Sequence, residues 1–161
     1  MENSTSIVFI RELSLDDALR IRDTQRPDVG WATDFPTDED VRVANYAKFI
    51  PSSTSEPWYA PWLIAENELV VGMLGFKSEP VANALEVGYG VVPSARGRGV
   101  ATAALSLLLE RVTHRGLIVR AETALWNVPS QLILRRLNFN EVRRRNDPQH
   151  GDLIVWELSV D

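Results

Sequence analysis

The period of apolar positions changes several times along the chain, and each change marks an element. Ile7 to Arg11 (IVFIR) is a short strand-like run. Leu15, Ala18, Leu19 and Arg22 then recur at helical spacing. Ser14 stands where an N-cap accepts a backbone N–H, and Asp16 and Asp17 suit the positive end of the helix. Residues 27–37 have no period and read as a loop, whose Trp31 and Phe35 either pack or line a pocket. Thr37 and Asp40 form a capping arrangement for a second helix through Val41, Ala44, Tyr46, Ala47 and Ile50. A turn-rich connector, 51–61, leads to two apolar runs, Trp62–Glu66 and Leu69–Phe76. Asn67-Glu68 between them predicts a hairpin. Ala84–Val92 makes a third strand, so the middle of the chain is a β-meander.

Residues 100–115 place Ala101, Ala104, Leu105, Leu108, Leu109 and Val112 on one face, the pattern of a helix lying on a sheet. Leu117–Thr123 is a strand. Asn127 caps a short helix with Pro129 early in it and Ile133, Leu134 and Leu137 on its apolar side. Phe139–Arg145 and Leu153–Leu158 close the chain as strands joined through 146–151. The order β-α-α-β-β-β-α-β-α-β-β is α+β in class, a mixed sheet with helices. With no repeat or linker, residues 1–161 read as a single domain. Trp126 and Trp156 read as core residues, His114 as a dipole partner at the C-terminal end of the long helix, and Trp58 and Trp62 as core or pocket wall.

Composition narrows the chemistry. The chain is 45% hydrophobic, enough for a sizeable core, and its net charge of −5 argues against nucleic acid as a partner. There is no cysteine, which excludes disulfides, thiolate metal sites and a cysteine nucleophile, and is consistent with a cytoplasmic setting. The two histidines, His114 and His150, lie far apart, so no histidine-rich metal site is expected. The N-terminus has no basic segment followed by a long apolar one, and no run approaches the ~20 residues of a membrane span.

The most informative stretch is Glu86–Leu109, EVGYGVVPSARGRGVATAALSLLL. Strand alternation puts Glu86, Gly88 and Gly90 on one face and Val87, Tyr89 and Val91 on the other. Two glycines beside a carboxylate suggest a slot next to an ionisable group; close packing of a helix, or a bulge at Gly90, is the alternative. Pro93 ends the pairing. The loop Ser94–Gly99 delivers the chain to a helix N-terminus, where free N–H groups can take phosphate. The loop lacks the Gly-Lys-Ser/Thr ending of a Walker loop, and Thr102 fits poorly in a dinucleotide fingerprint.

Arg96-Gly97-Arg98-Gly99-Val100-Ala101 resembles the R/Q-x-x-G-x-G/A cofactor motif of the GNAT N-acetyltransferase superfamily. Glu86-Val87-Gly88-Tyr89, Asn127-x-x-Ser130 and Leu137-Asn138-Phe139 are similar to the branch of the ribosomal-protein alanine N-acetyltransferases (RimJ/RimL-like). The resemblance implies a central mixed, mostly antiparallel sheet of about seven strands flanked by about four helices, with acetyl-CoA as cofactor. It implies that backbone N–H groups of Arg96, Gly97, Arg98, Gly99, Val100 and Ala101 take the pyrophosphate, with Arg96 or Arg98 adding charge. The N–H of Val91 or Val92 would face the thioester carbonyl, Asn127 would hold the pantetheine arm, and Ser130 would lie near the sulfur.

Acetyl transfer to an amine needs a deprotonated amine, a polarised carbonyl and a stabilised thiolate. Without cysteine, direct attack in a ternary complex is the expected route. Glu86 is the first candidate base, with Glu122, Asp147 and His150 behind it. Leu134 occupies the place where many relatives carry a tyrosine acid, so Ser130 is the candidate to face the thiolate. Asn138 replaces the usual glycine and tolerates a left-handed backbone. The run Arg143–Arg145, with Arg135 and Arg136, either meets the 3′-phosphate of the cofactor or is a solvated face. The expected activity is N-acetylation of a primary amine, a protein N-terminus or a small molecule. A non-catalytic acyl-CoA-binding regulatory module is the alternative from another class. Dimerisation is common in the branch, though no residue here argues for a homodimer.

Overall fold

The computed structural model describes residues 6–27, 30–47 and 60–160. The expected helix end at Ile50 and the connector with Trp58 lie outside them. Seven strands, β1 (Val8–Glu12), β2 (Trp62–Glu66), β3 (Leu69–Phe76), β4 (Ala84–Val91), β5 (Leu117–Ala124), β6 (Asn140–Asp147) and β7 (Gly151–Val160), form one sheet in the order β1-β2-β3-β4-β5-β7-β6. Every neighbouring pair is antiparallel except β4 and β5. Four helices occur among the described residues: α1 (Leu15–Arg22), α2 (Asp38–Ala47), α3 (Val100–Glu110) and α4 (Val128–Arg136). α3 lies along β1, β3 and β4 and touches α4, while α1 and α2 pack on each other. No described helix is long and apolar enough to cross a membrane.

Local chemistry accounts for most boundaries. Ser14 accepts from the Asp17 N–H (3.0 Å) while the Asp17 carboxylate accepts from the Ser14 N–H (3.0 Å), a reciprocal cap. Thr37 and Asp40 repeat it at α2. Asn67 and Glu68 both hold positive φ, 49° and 72°, as a two-residue hairpin with the twist of its strands requires. Asn138 takes φ 64° just beyond α4. α3 stops at Glu110, short of the expected residue 115, because the chain tightens into turns there and His114 and Gly116 adopt φ 66° and 63°. His114 therefore lies past the helix, not on its last turn. β6 and β7 run further than expected because the pairs Asn146–Asp152 and Asp147–Gly151 carry the ladder to its turn.

The core gathers Leu85, Val92, Val100, Leu105, Leu108, Leu134 and Trp156 between sheet and helices. Trp156 is buried and its indole N–H donates to Thr123 Oγ1 (2.9 Å), so its polar atom is satisfied. Trp31 and Phe35 pack edge to face at 5.1 Å, both buried. Trp126 departs from expectation: it is 81% exposed. β5 buries alternate residues through Thr123, after which the Asn127 N–H turns back to Ala124 O (3.0 Å) and the intervening Trp126 is thrown outward.

Candidate active site

The site is set by where β4 and β5 stop pairing. They run parallel through Ala84–Ile118, Leu85–Val119 and Glu86–Arg120, and then part. β4 stays on β3 as far as Val91, opposite Gly72. The next N–H, of Val92, donates to Val71 O at 2.8 Å. Successive N–H groups of a strand point to opposite sides, so the Val91 N–H points away from β3 into the gap. The Val92 N–H is thus taken up by β3, while the Val91 N–H is not. The two strands approach closely at this point: a Cβ on Gly72 would stand 2.1 Å from Gly90 O, whereas a Cβ on Gly90 would meet nothing within 4 Å. The face bearing Gly90 is thus open, with no helix packed on it there among the described residues.

Beyond Val92, Pro93–Ala95 makes one 3-10 turn, and the Arg96 N–H returns to Pro93 O (3.2 Å), which takes it out of the set available to a phosphate. Gly97 and Gly99 adopt φ 76° and 80° with open space where side chains would lie. The first helical bond beyond the loop is Ala103 N–H to Gly99 O (2.9 Å), so the N–H groups of Val100, Ala101 and Thr102 precede the ladder. A helix start entered through two left-handed glycines is an anion receptor.

Carboxylates hold this loop from two sides. Arg98 bonds Glu66 through Nε (3.2 Å) and Nη2, and Ser94 O through Nη1 (2.6 Å). Glu66 is buried, and the guanidinium keeps its carboxyl below the usual carboxylate range. Arg98 therefore shapes the loop, which leaves Arg96, bonded only weakly to Val91 O (3.2 Å), as the cation nearer the gap. Asp34 accepts from the Ser94 hydroxyl (2.7 Å) and N–H (2.9 Å), which tie the 30–37 segment to the loop and lower the Asp34 carboxyl. Within that segment, the Arg26 guanidinium donates to the carbonyls of Thr33 (3.1 Å), Phe35 (2.5 Å) and Ala32 (2.8 Å). Neither Asp34 nor Arg26 is marked by any local sequence pattern.

Glu86 sits at the last β4–β5 pair, half-buried and ion-paired with Lys77. The weaker candidates are occupied. Glu122 takes a two-pronged bond from Arg145 (2.8 and 2.6 Å) that lowers its carboxyl. Asp147 accepts from the N–H groups of Gln149 and His150 (2.9 Å each), from His150 Nδ1 (2.8 Å) and from Arg145 (3.0 Å), which hold it well below its ordinary value. Of the basic cluster, Arg144 pairs with Glu141 and Arg135 stacks on Trp156.

Across the gap from β4, Asn127 caps α4, its Oδ1 accepting from the Ser130 N–H (3.2 Å). Leu134 is wholly buried, so that position offers the gap no acid. Tyr89, on the β4 face opposite Glu86, reaches α4: its Oη lies 2.6 Å from Ser130 Oγ. The two are 41 residues apart, and only the strand phase of Tyr89 was visible beforehand.

A parted β4–β5 pair with a free N–H, followed by a glycine loop on a helix start, defines an acyl-CoA-binding transferase architecture, and the comparisons agree. The profile of the acetyltransferase (GNAT) domain matches residues 8–140, and the chain belongs to this acetyl-CoA-dependent acetyltransferase family. No curated protein sequence matches the chain. Among solved structures, the ribosomal L7/L12 α-N-protein acetyltransferase RimL in complex with coenzyme A superposes with TM-score 0.73 at 18% identity, over 98% of this chain and 96% of that one. A putative acetyltransferase from Salmonella typhimurium, yncA, with acetyl-CoA, gives TM-score 0.65 at 19% identity over 96% and 94%. RimJ of Mycobacterium smegmatis in complex with CoA-disulfide gives 0.66 at 23% identity over 94% and 81%.

Proposed function

We propose that this chain, acting as a single domain, N-acetylates a primary amine by direct attack in a ternary complex. The observation that carries the reading is the Val91 N–H, directed into the gap where β4 leaves β5, one turn ahead of the phosphate loop. The residues suit acetyl-CoA. The N–H groups from Gly97 to Thr102 would meet a pyrophosphate at the start of α3, Arg96 would add charge, and the gap where β4 and β5 part would admit a slender arm. Bound acetyl-CoA supplies an activated thioester. The Val91 N–H stabilises the negative charge that develops on the carbonyl oxygen. Asn127 and Ser130 face the arm from α4.

The acceptor enters from the opposite face of β4, where Gly90 leaves room, the Lys77 chain lies over Gly88 and Glu86 stands at the edge. Glu86 takes the amine proton, directly or through water, and Lys77, ion-paired with it, holds the side chain in place. The acceptor class that fits is an uncharged primary amine on a protein N-terminus or a small molecule. The choice among acceptors falls to residues 23–60 and the 146–151 loop. The test is thiol release from acetyl-CoA across a panel of amines and N-terminal peptides. Turnover on members of that panel, slowed at neutral pH by Glu86→Gln with acetyl-CoA affinity unchanged, is the expected result. Tight acetyl-CoA binding with no thiol released would instead mark a binding module, and a wild-type rate for Glu86→Gln would remove it as the base.

A further inference from the structure

The proposed reaction leaves one need unmet. The thiolate must be stabilised, and the position where an acid is expected holds the buried Leu134. Ser130 alone is a weak donor. The structure supplies a second hydroxyl behind it. Tyr89 Oη lies 2.6 Å from Ser130 Oγ and 3.4 Å from Ser130 O. Ser130 is the third residue of α4, so both hydroxyls lie in the first turn of a helix, where negative charge is favoured. Two hydroxyls this close share one hydrogen. If Tyr89 donates, the Ser130 hydrogen is released to point elsewhere, and the donated bond makes it a better donor in turn.

We infer that Tyr89 is a positioning residue: it donates to Ser130 Oγ and so directs the Ser130 hydrogen at the cofactor sulfur. The inference rests on the acetyl-CoA reading above. In the step it serves, the amine nitrogen bonds to the acetyl carbon, the carbon–sulfur pair of electrons goes to sulfur, and the amine proton goes to Glu86. No proton leaves Tyr89; the chain Tyr89–Ser130–sulfur stabilises the departing thiolate. Burial pushes the Tyr89 phenol up from its ordinary value, the bond with Ser130 offsetting part of the rise. It therefore stays a donor throughout the working pH range. The tyrosine missing from α4 is thus replaced by one on β4 acting through a serine.

The test uses a readout that needs no acceptor. The thiol of bound coenzyme A is titrated by its ultraviolet thiolate absorbance, as the difference between the coenzyme A and desulfo-coenzyme A complexes. In the wild-type protein the bound thiol should titrate below the free one. Tyr89→Phe keeps the ring and should raise it by about half to one pKa unit. Ser130→Ala should raise it further, and the double variant should match Ser130→Ala. With an accepted amine, Tyr89→Phe should lower kcat about three- to tenfold with KM for acetyl-CoA unchanged. An unchanged thiol titration in Tyr89→Phe, or a double variant in which the two shifts add in full, would overturn the inference. Failure of coenzyme A to bind the wild-type protein would overturn the cofactor reading and this inference together. A titration shift of the expected size with no amine accepted would uphold the Tyr89–Ser130 chain and sink only the transfer reading.

Discussion

Gly72 pairs with Val91 and Gly90 with Met73 across β3 and β4, and alanine should act oppositely at the two glycines. At Gly72 the new Cβ would lie 2.1 Å from Gly90 O and 2.9 Å from Val91 Cα, both backbone atoms. A carbon–oxygen contact is comfortable at about 3.3–3.6 Å, so relief requires the strands to separate by roughly 1 Å. Overpacking of this kind costs about 1–3 kcal/mol. Disturbing the Val92–Val71 bond and its neighbour adds about 0.5–1.5 kcal/mol each. Gly72→Ala should therefore lose about 2–6 kcal/mol, a large part of the ~5–15 kcal/mol of an ordinary domain. With a urea slope of about 1–3 kcal/mol per molar, the midpoint should fall by roughly 1–3 M. At Gly90 the Cβ meets nothing within 4 Å. Gly90→Ala should leave the midpoint unchanged or raise stability by up to about 1 kcal/mol through the unfolded chain. Its methyl would instead stand beside Val91 on the open face and cut kcat/KM by roughly ten- to a hundredfold. Urea melts and thiol-release rates on the two variants decide the matter. Equal midpoints, or a Gly90→Ala variant as unstable as Gly72→Ala, would refute the assignment of the close approach to Gly72.

Other outcomes follow from the carboxylate and guanidinium contacts. Arg26→Ala should remove the donor shared by the Ala32, Thr33 and Phe35 carbonyls, speeding hydrogen exchange at Ala32 and Phe35 and raising KM for the acceptor more than for acetyl-CoA. Arg98→Gln should lower the melting temperature because buried Glu66 loses its partner, while Arg96→Gln should leave melting alone and weaken coenzyme A binding in calorimetry. Glu66 has a depressed folded pKa, so its stabilisation is present above the unfolded value of about 4.3 and fades as pH falls through the folded one. Urea midpoints of Glu66→Gln should therefore lie below wild type at pH 7 and converge on it in acid; a constant gap would show that the charge is not what matters.

Element order and the glycine loop ahead of α3 were legible because they depend on neighbours in sequence. Two-residue turns, caps and the period of α3 are local, and Ser14, Thr37, Asn67 and Asn127 do what their types favour. The limits are equally physical. Whether an N–H on β4 is free depends on register with β3, which separated Val91 from Val92 only once Val71 was seen as the acceptor. Arg96 and Arg98 read alike as candidate cations for the phosphates because Glu66, the buried carboxylate that pairs with Arg98, lies 32 residues earlier. Trp126 read as core on its size alone, without a periodic position to support it, and a tight turn exposes it. The Tyr89–Ser130 contact joins two elements that only the fold brings together.

Under the proposed binding of acetyl-CoA at this loop, its contacts also decide which force holds the cofactor. The chain carries net charge −5, and two carboxylates, Glu66 and Asp34, bond the phosphate loop directly. Arg98 is largely neutralised by the first, so the long-range field at the loop is weak. What remains is short-range: oriented N–H groups from Gly97 to Thr102, the α3 dipole, and Arg96. Such donors act over a turn of helix and lie within one Debye length of the anion. The loop is thus built for fit over attraction, and its rigidity is what Glu66 and Asp34 supply. Carboxylates beside an anion site are unfavourable as charges, yet they fix the backbone geometry on which the N–H donors depend.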